Sequence, residues 1–181
     1  MIILASKSPR RITLLKKIFP SFEIMPADID EYLYPEDQLS LVKAKAISSS
    51  DPSALILSAD TLVIKNNKVY GKPKDEEDAR RMLHELSSSM HEVKTYYSIV
   101  LEEKGICLTR CVTSKVYFAP LNDELIEAYI ATKSPLDKAG AYGIQDKDFP
   151  LIDHIEGSYD NIVGFPIEEI KQDLISLGLI D

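Results

Sequence analysis

Residues 93–101 and 106–118 form two long segments that alternate apolar and polar side chains, separated by little more than Gly105. Alternation at period two marks a strand with one covered face, and two such runs joined through a glycine predict an antiparallel hairpin. A hairpin of that length commits the chain to a sheet. Other apolar runs do not alternate. Ile2-Ile3-Leu4-Ala5 and 55–58 read as short buried strands, 21–29 as a strand and its exit, and 151–155 as a further short strand. Residues 62–65 and 68–70 flank Asn66-Asn67, a pair that tolerates positive φ and suits a tight hairpin.

Helical spacing accounts for most of the rest. Ser8 as N-cap and Pro9 at the first helical position predict a helix with Ile12, Leu14, Leu15, Ile18 and Phe19 on its apolar face, stopped by Pro20. Residues 39–48 predict a second helix with Leu39, Val42, Ala46 and Ile47 inward. Asp75 caps a third, with Ala79, Met82, Leu83 and Leu86 buried, and Asn122 a fourth, with Leu125, Ile126, Tyr129 and Ile130. The last begins at Pro166. The sum is a mixed sheet with flanking helices, α/β or α+β, in one domain over residues 1–181. The stretch near 50–53 is the only candidate internal joint.

The formal net charge of −8 argues against non-specific nucleic-acid binding, while leaving room for an anionic small ligand at a local cationic cluster. No apolar run is long enough for a bilayer, and Met1 leads straight into a strand, with Arg10 and Arg11 after the apolar stretch. The expected location is therefore cytoplasmic. Cys107 and Cys111, on one strand, would lie about 13 Å apart, too far for a disulfide. They are expected to be small reduced core residues.

Three regions carry candidate chemistry. The first is Ser6 to Arg11. A strand, a Ser-rich turn and a helix start form a general phosphate-binding arrangement, and arginine adds a planar fork that matches phosphate oxygens. Two cations at a helix start oppose the dipole, which an anion would compensate. Alone, the short pattern also describes a capped, solvated helix face. The second is Asp60, expected at the C-terminal end of a strand, where ligands of open α/β sheets gather. It could hold a divalent metal, activate water, or simply turn the chain between two strands. Glu31, Lys45 and Lys72 gain weight only if the fold brings them to it. The third is Asp137 to Gln145, where Gly140 and Gly143 allow close backbone approach. Gln145 carries a donor and an acceptor suited to the imide edge of uracil or thymine. His91 and His154 read as isolated polar residues.

Taken together, LASKSPRR (4–11), SADTLV (58–63), YGKP (70–73), HEVKT (91–95), DKAGAYGIQ (137–145) and GSYDNIVGFP (157–166) resemble, in order and over essentially the whole chain, the Maf family of nucleoside triphosphate pyrophosphatases. The resemblance implies a mixed, twisted α/β fold with an active-site cleft, of an inosine-triphosphatase-like kind. It implies hydrolysis of a nucleoside triphosphate to the monophosphate and pyrophosphate with Mg²⁺ or Mn²⁺, a house-cleaning role in nucleotide pools, a link to septum formation, and a homodimer. Arg10, Thr61 and Gln145 match the branch acting on dTTP and UTP. The family's catalytic aspartate maps onto Asp60, its other polar site residues onto Ser6, Arg11, Glu31, Lys45, Lys72 and Lys138, with the metal assigned to Glu31 and Asp60. A nucleotide-binding regulator of division with little turnover is the alternative.

Overall fold

The computed structural model describes residues 1–181. Its elements run β1 (Ile2–Leu4), α1 (Pro9–Leu15), β2 (Glu23–Ile24), α2 (Leu39–Ser48), β3 (Leu55–Lys65), β4 (Lys68–Tyr70), α3 (Glu76–Leu86), β5 (Met90–Leu101), β6 (Ile106–Phe118), α4 (Asp123–Ala131), β7 (Ile152–Glu156), α5 (Tyr159–Val163) and α6 (Ile167–Ser176). The seven strands hydrogen-bond in the order β2-β1-β3-β5-β6-β7, with β4 beside β3. The sheet is mixed, as the sequence predicts: β1 runs parallel to β2 and β3, while β4 and β7 pair antiparallel. No helix is long and apolar enough to cross a membrane.

The chain forms two compact units, Met1–Asp60 with Thr95–Val112 and Gly164–Asp181, and Thr61–Lys94 with Thr113–Val163. The division falls inside β3, β5 and β6, not at residues 50–53. That stretch is a turn held within the first unit, where Ala54 N donates to the Asp51 carbonyl and Glu103 N to the Pro52 carbonyl.

In the first unit, β1 stacks Ile3 beside Ile56 and Leu4 beside Leu57 of β3. Ile3, Ala5, Ala44, Ile47, Ala54, Ile56 and Val100 make one core. Helix α1 starts as read, with Ser8 Oγ accepting from Arg11 N and Pro9 first, but ends at Leu15, with tighter turns closing at Lys17 and Ile18. Strand β2 is only two residues long and pairs with Ile3 and Leu4 of β1. The buried face of α2 comprises Leu39, Ser40, Ala44, Ile47 and Ser48, not the Val42 and Ala46 expected. Small side chains let α2 lie close to the sheet, and hydrophobicity alone misplaces that stripe. Cys107 and Cys111 are both exposed on β6, so their expected core role is overturned.

In the second unit, Asn66 and Asn67 adopt φ of 49° and 64°, the left-handed pair that a two-residue hairpin needs. Helices α3 and α4 bury Ala79, Met82, Leu83 and Leu86, and Ile126, Tyr129 and Ile130, under the expected Asp75 and Asn122 caps. His91 is 1% exposed, packed edge-on to Phe118 and Tyr142, with Nε2 2.6 Å from the Tyr142 hydroxyl and Nδ1 unpartnered. Burial pulls its pKa from 6.5 down to about 4. The folded state thus excludes a proton that the unfolded chain accepts below pH 6.5. Between pH 6.5 and 4 the fold should lose about 3 kcal/mol through this residue, with no penalty above 6.5 and no further loss below 4. Denaturant unfolding across that range should show the slope in the wild type and a flatter one in His91→Gln; equal slopes would remove His91 as the cause.

Candidate active site

Ser6 follows β1, and its Oγ accepts from Ser8 N at 3.2 Å and Arg11 Nη1 at 3.5 Å. Arg11 is fixed from the other side, its Nε donating to the Gly164 carbonyl at 2.9 Å. The guanidinium is therefore aimed by backbone and hydroxyl before any ligand arrives. Desolvation pulls its pKa down to about 10, offset by Asp60 and deepened by the neighbouring Arg10, so it remains a cation at neutral pH. No acid occupies the first turn of α1.

Asp60 does not end a strand. β3 runs on through Thr61-Leu62-Val63-Ile64, a stretch of strand-forming residues with no breaker, so Asp60 lies mid-strand. It still stands three residues beyond Leu57, the last partner of β1, at the carboxyl edge of the parallel pair and beyond the turn that holds Ser6. Its side chain is 18% exposed, and its Oδ2 is buried with no hydrogen-bond partner. Desolvation raises its pKa; Lys43 and then Arg11 oppose that rise, while Glu31 and Glu36 add to it. A buried carboxylate oxygen without a partner is costly to fold, and groups of this kind concentrate at functional sites.

A cation that the sequence analysis does not single out, Lys43, lies beside it. Lys43 Nζ lies 2.8 Å from Glu31 Oε1 and 3.8 Å from Asp60 Oδ1, on a side chain only 14% exposed. Lys45, assigned from the sequence, is exposed on α2. Two residues along a helix turn the side chain about 200° away, so both cannot face Asp60. Together with Leu39 and Ile47, the small residues Ser40, Ala44 and Ser48 make up the buried face, which at about 100° per residue puts Lys43 at its flank and Lys45 on the far side. Glu31 reaches Lys43 from a short 3-10 turn, Glu31–Leu33, capped by the Asp30 side chain.

Ser6, Arg11, Glu31 and Asp60 are thus gathered in the first unit, with Lys43 added and Arg10 beside Arg11. Thr61, Lys72, Lys138 and Gln145 belong to the second unit. Thr61 is half-buried, while Lys72 and Gln145 are exposed. Lys138 Nζ donates to the Ser134 carbonyl at 2.8 Å, to Ser134 Oγ at 3.0 Å and to Asp137 Oδ1 at 2.9 Å, so its ammonium holds its own loop. Gly143 makes this possible: a Cβ there would come within 2.8 Å of Lys138 Cε.

An α/β sheet with a fixed guanidinium, a second arginine and a desolvated carboxylate at its parallel edge defines a protein built to meet a polyanion. The chain belongs to the family described as Maf-like protein, whose profile matches residues 1–177. Among curated relatives, the dTTP/UTP pyrophosphatase of Geotalea uraniireducens is 43% identical, covering 99% of this chain and 96% of its own. That of Thermosipho melanesiensis is 48% identical over 93% of each. A solved HAM1 protein from Coxiella burnetii matches 97% of this chain and 98% of its own with a TM-score of 0.58 at 14% identity, a likeness of fold.

Proposed function

We propose that this chain hydrolyses dTTP and UTP to the nucleoside monophosphate and pyrophosphate, in keeping with the names of its relatives. The observation that carries the reading is the buried, unpartnered Oδ2 of Asp60, coupled to Arg11 and Lys43. Arg11, Arg10 and the Ser6 hydroxyl bind the triphosphate tail. Asp60 takes a proton from water as the water oxygen bonds to the α-phosphorus. The bond from that phosphorus to the bridging oxygen breaks, and pyrophosphate leaves with the electron pair. Aimed cations stabilise the charge that gathers on the leaving group, the largest contribution in such chemistry. Thr61 and Gln145 read the pyrimidine, and the exposed Lys72 supports phosphate.

Glu31 and Asp60 fit Mg²⁺ or Mn²⁺: their donors are hard oxygens, and one of them is orphaned. No cluster of three His, Cys, Asp or Glu side chains forms a complete protein cage, and Mg²⁺ commonly takes one or two carboxylates and completes its shell with phosphate and water. Bound there, the cation would neutralise phosphate charge.

A panel of nucleoside triphosphates, assayed with divalent metal and coupled inorganic pyrophosphatase, tests the reading. Pyrophosphate should appear from dTTP and UTP well ahead of ATP, GTP and CTP. Tight binding without turnover would replace it with the regulator, and turnover confined to 5-modified pyrimidines would move the substrate.

A further inference from the structure

Ser58 is the one polar side chain in the buried stretch Leu55, Ile56, Leu57, Ser58, Ala59 of β3. It is fully buried, and its hydroxyl donates to the carbonyl of Ser40, in the first turn of α2. Ser40 is fully buried too, with its Oγ 2.9 Å from Ser98 Oγ, which in turn is 2.8 Å from Thr109 Oγ1. Hydroxyls from β3, β5 and β6 thus converge on the start of one helix.

The spacing of these groups links them to the site. Ser58 and Asp60 are two apart on a strand, so they share a face. Ser40 and Lys43 are three apart on a helix, so they share a side. Two connections therefore run side by side between β3 and α2: hydroxyl to backbone carbonyl, and ammonium to carboxylate. The second is long, 3.8 Å, and made by a flexible four-carbon stem, so it does not by itself fix the helix. The first joins a short side chain to backbone. One residue of slip along α2 is about 1.5 Å, enough to separate Lys43 from Asp60.

We propose that Ser58 is a positioning residue, setting the height of α2 on β3 so that Lys43 meets Asp60. The proposal rests on the functional reading above for its kinetic consequence, and on geometry alone for its structural one. Ser58→Ala should lower kcat for dTTP about tenfold while KM stays within about twofold, since a displacement of about 1 Å has effects of this order and larger. In a Lys43→Met background the same change should cost less than about twofold, because the group it positions is gone. Equal losses in both backgrounds, or no loss in either, would overturn the proposal. If Ser58→Ala is too unstable to assay, Ser58→Cys, similar in shape and a weaker donor, goes through the same cycle with the same two outcomes. A crystal structure of Ser58→Ala should show the Lys43–Asp60 separation widened relative to the wild type, whatever the substrate proves to be, and an unchanged separation would refute the positioning role. Wild-type turnover reports on the functional reading, so the two failures are distinguishable.

Discussion

Asp60→Asn should lower pyrophosphate release from dTTP by about two orders of magnitude or more, the range attributed to a positioned general base. The substitution keeps the shape of the side chain and removes its charge and its proton affinity. Everything that aims the site should survive it, because Arg11 is held by Gly164 and Ser6 rather than by residue 60 alone. Measured without divalent metal, nucleotide affinity should stay level or tighten, since a negative charge near the polyphosphate is gone. Steady-state kinetics beside equilibrium binding of dTTP separates the two quantities. Near-normal turnover in the variant would remove Asp60 as the base.

The pair Lys43→Met and Lys45→Met should split sharply. Methionine keeps much of the apolar stem and deletes the ammonium. At position 43 this removes the largest opposing cation from a desolvated carboxylate and the partner of Glu31. A loss of about a hundredfold in kcat/KM is expected, comparable to removing one electrostatic donor from a preorganised site. At position 45 the side chain is exposed, and kcat/KM should change by less than about twofold. Measuring kcat/KM for both variants under one set of conditions decides it. Equal effects, or a larger one at 45, would mean that α2 presents its other side to the substrate.

The contrast between those lysines shows where sequence reading stops. The Asp75 and Asn122 caps, the Asn66-Asn67 turn and the hairpin around Gly105 were all legible, because each depends on residues within a few positions of one another. The buried stripe of α2 was not, because Ser40, Ala44 and Ser48 are buried by close packing and do not announce themselves by hydrophobicity. Lys45 came from the family resemblance, whereas the structure puts Lys43 beside Asp60 and leaves Lys45 exposed. Cys107 and Cys111 misled in the opposite direction: apolar by type, they are exposed on β6.

Asp60 was identifiable from its place after a buried run, and Ser6, Arg10 and Arg11 from the turn that follows the first strand. What those residues do to one another was not identifiable. Local order along the chain is written in short-range rules of spacing, capping and turn chemistry, and these determined the mixed sheet, its helices and the candidate acid and arginines. Only the tertiary structure decided that β3 runs unbroken through Asp60, that Gly164 holds Arg11 from 153 residues away, and that Lys43 faces the carboxylate. Desolvation, hydrogen-bond partners and the rotation of a helix about its axis are properties of segments distant in sequence, and no local pattern encodes them.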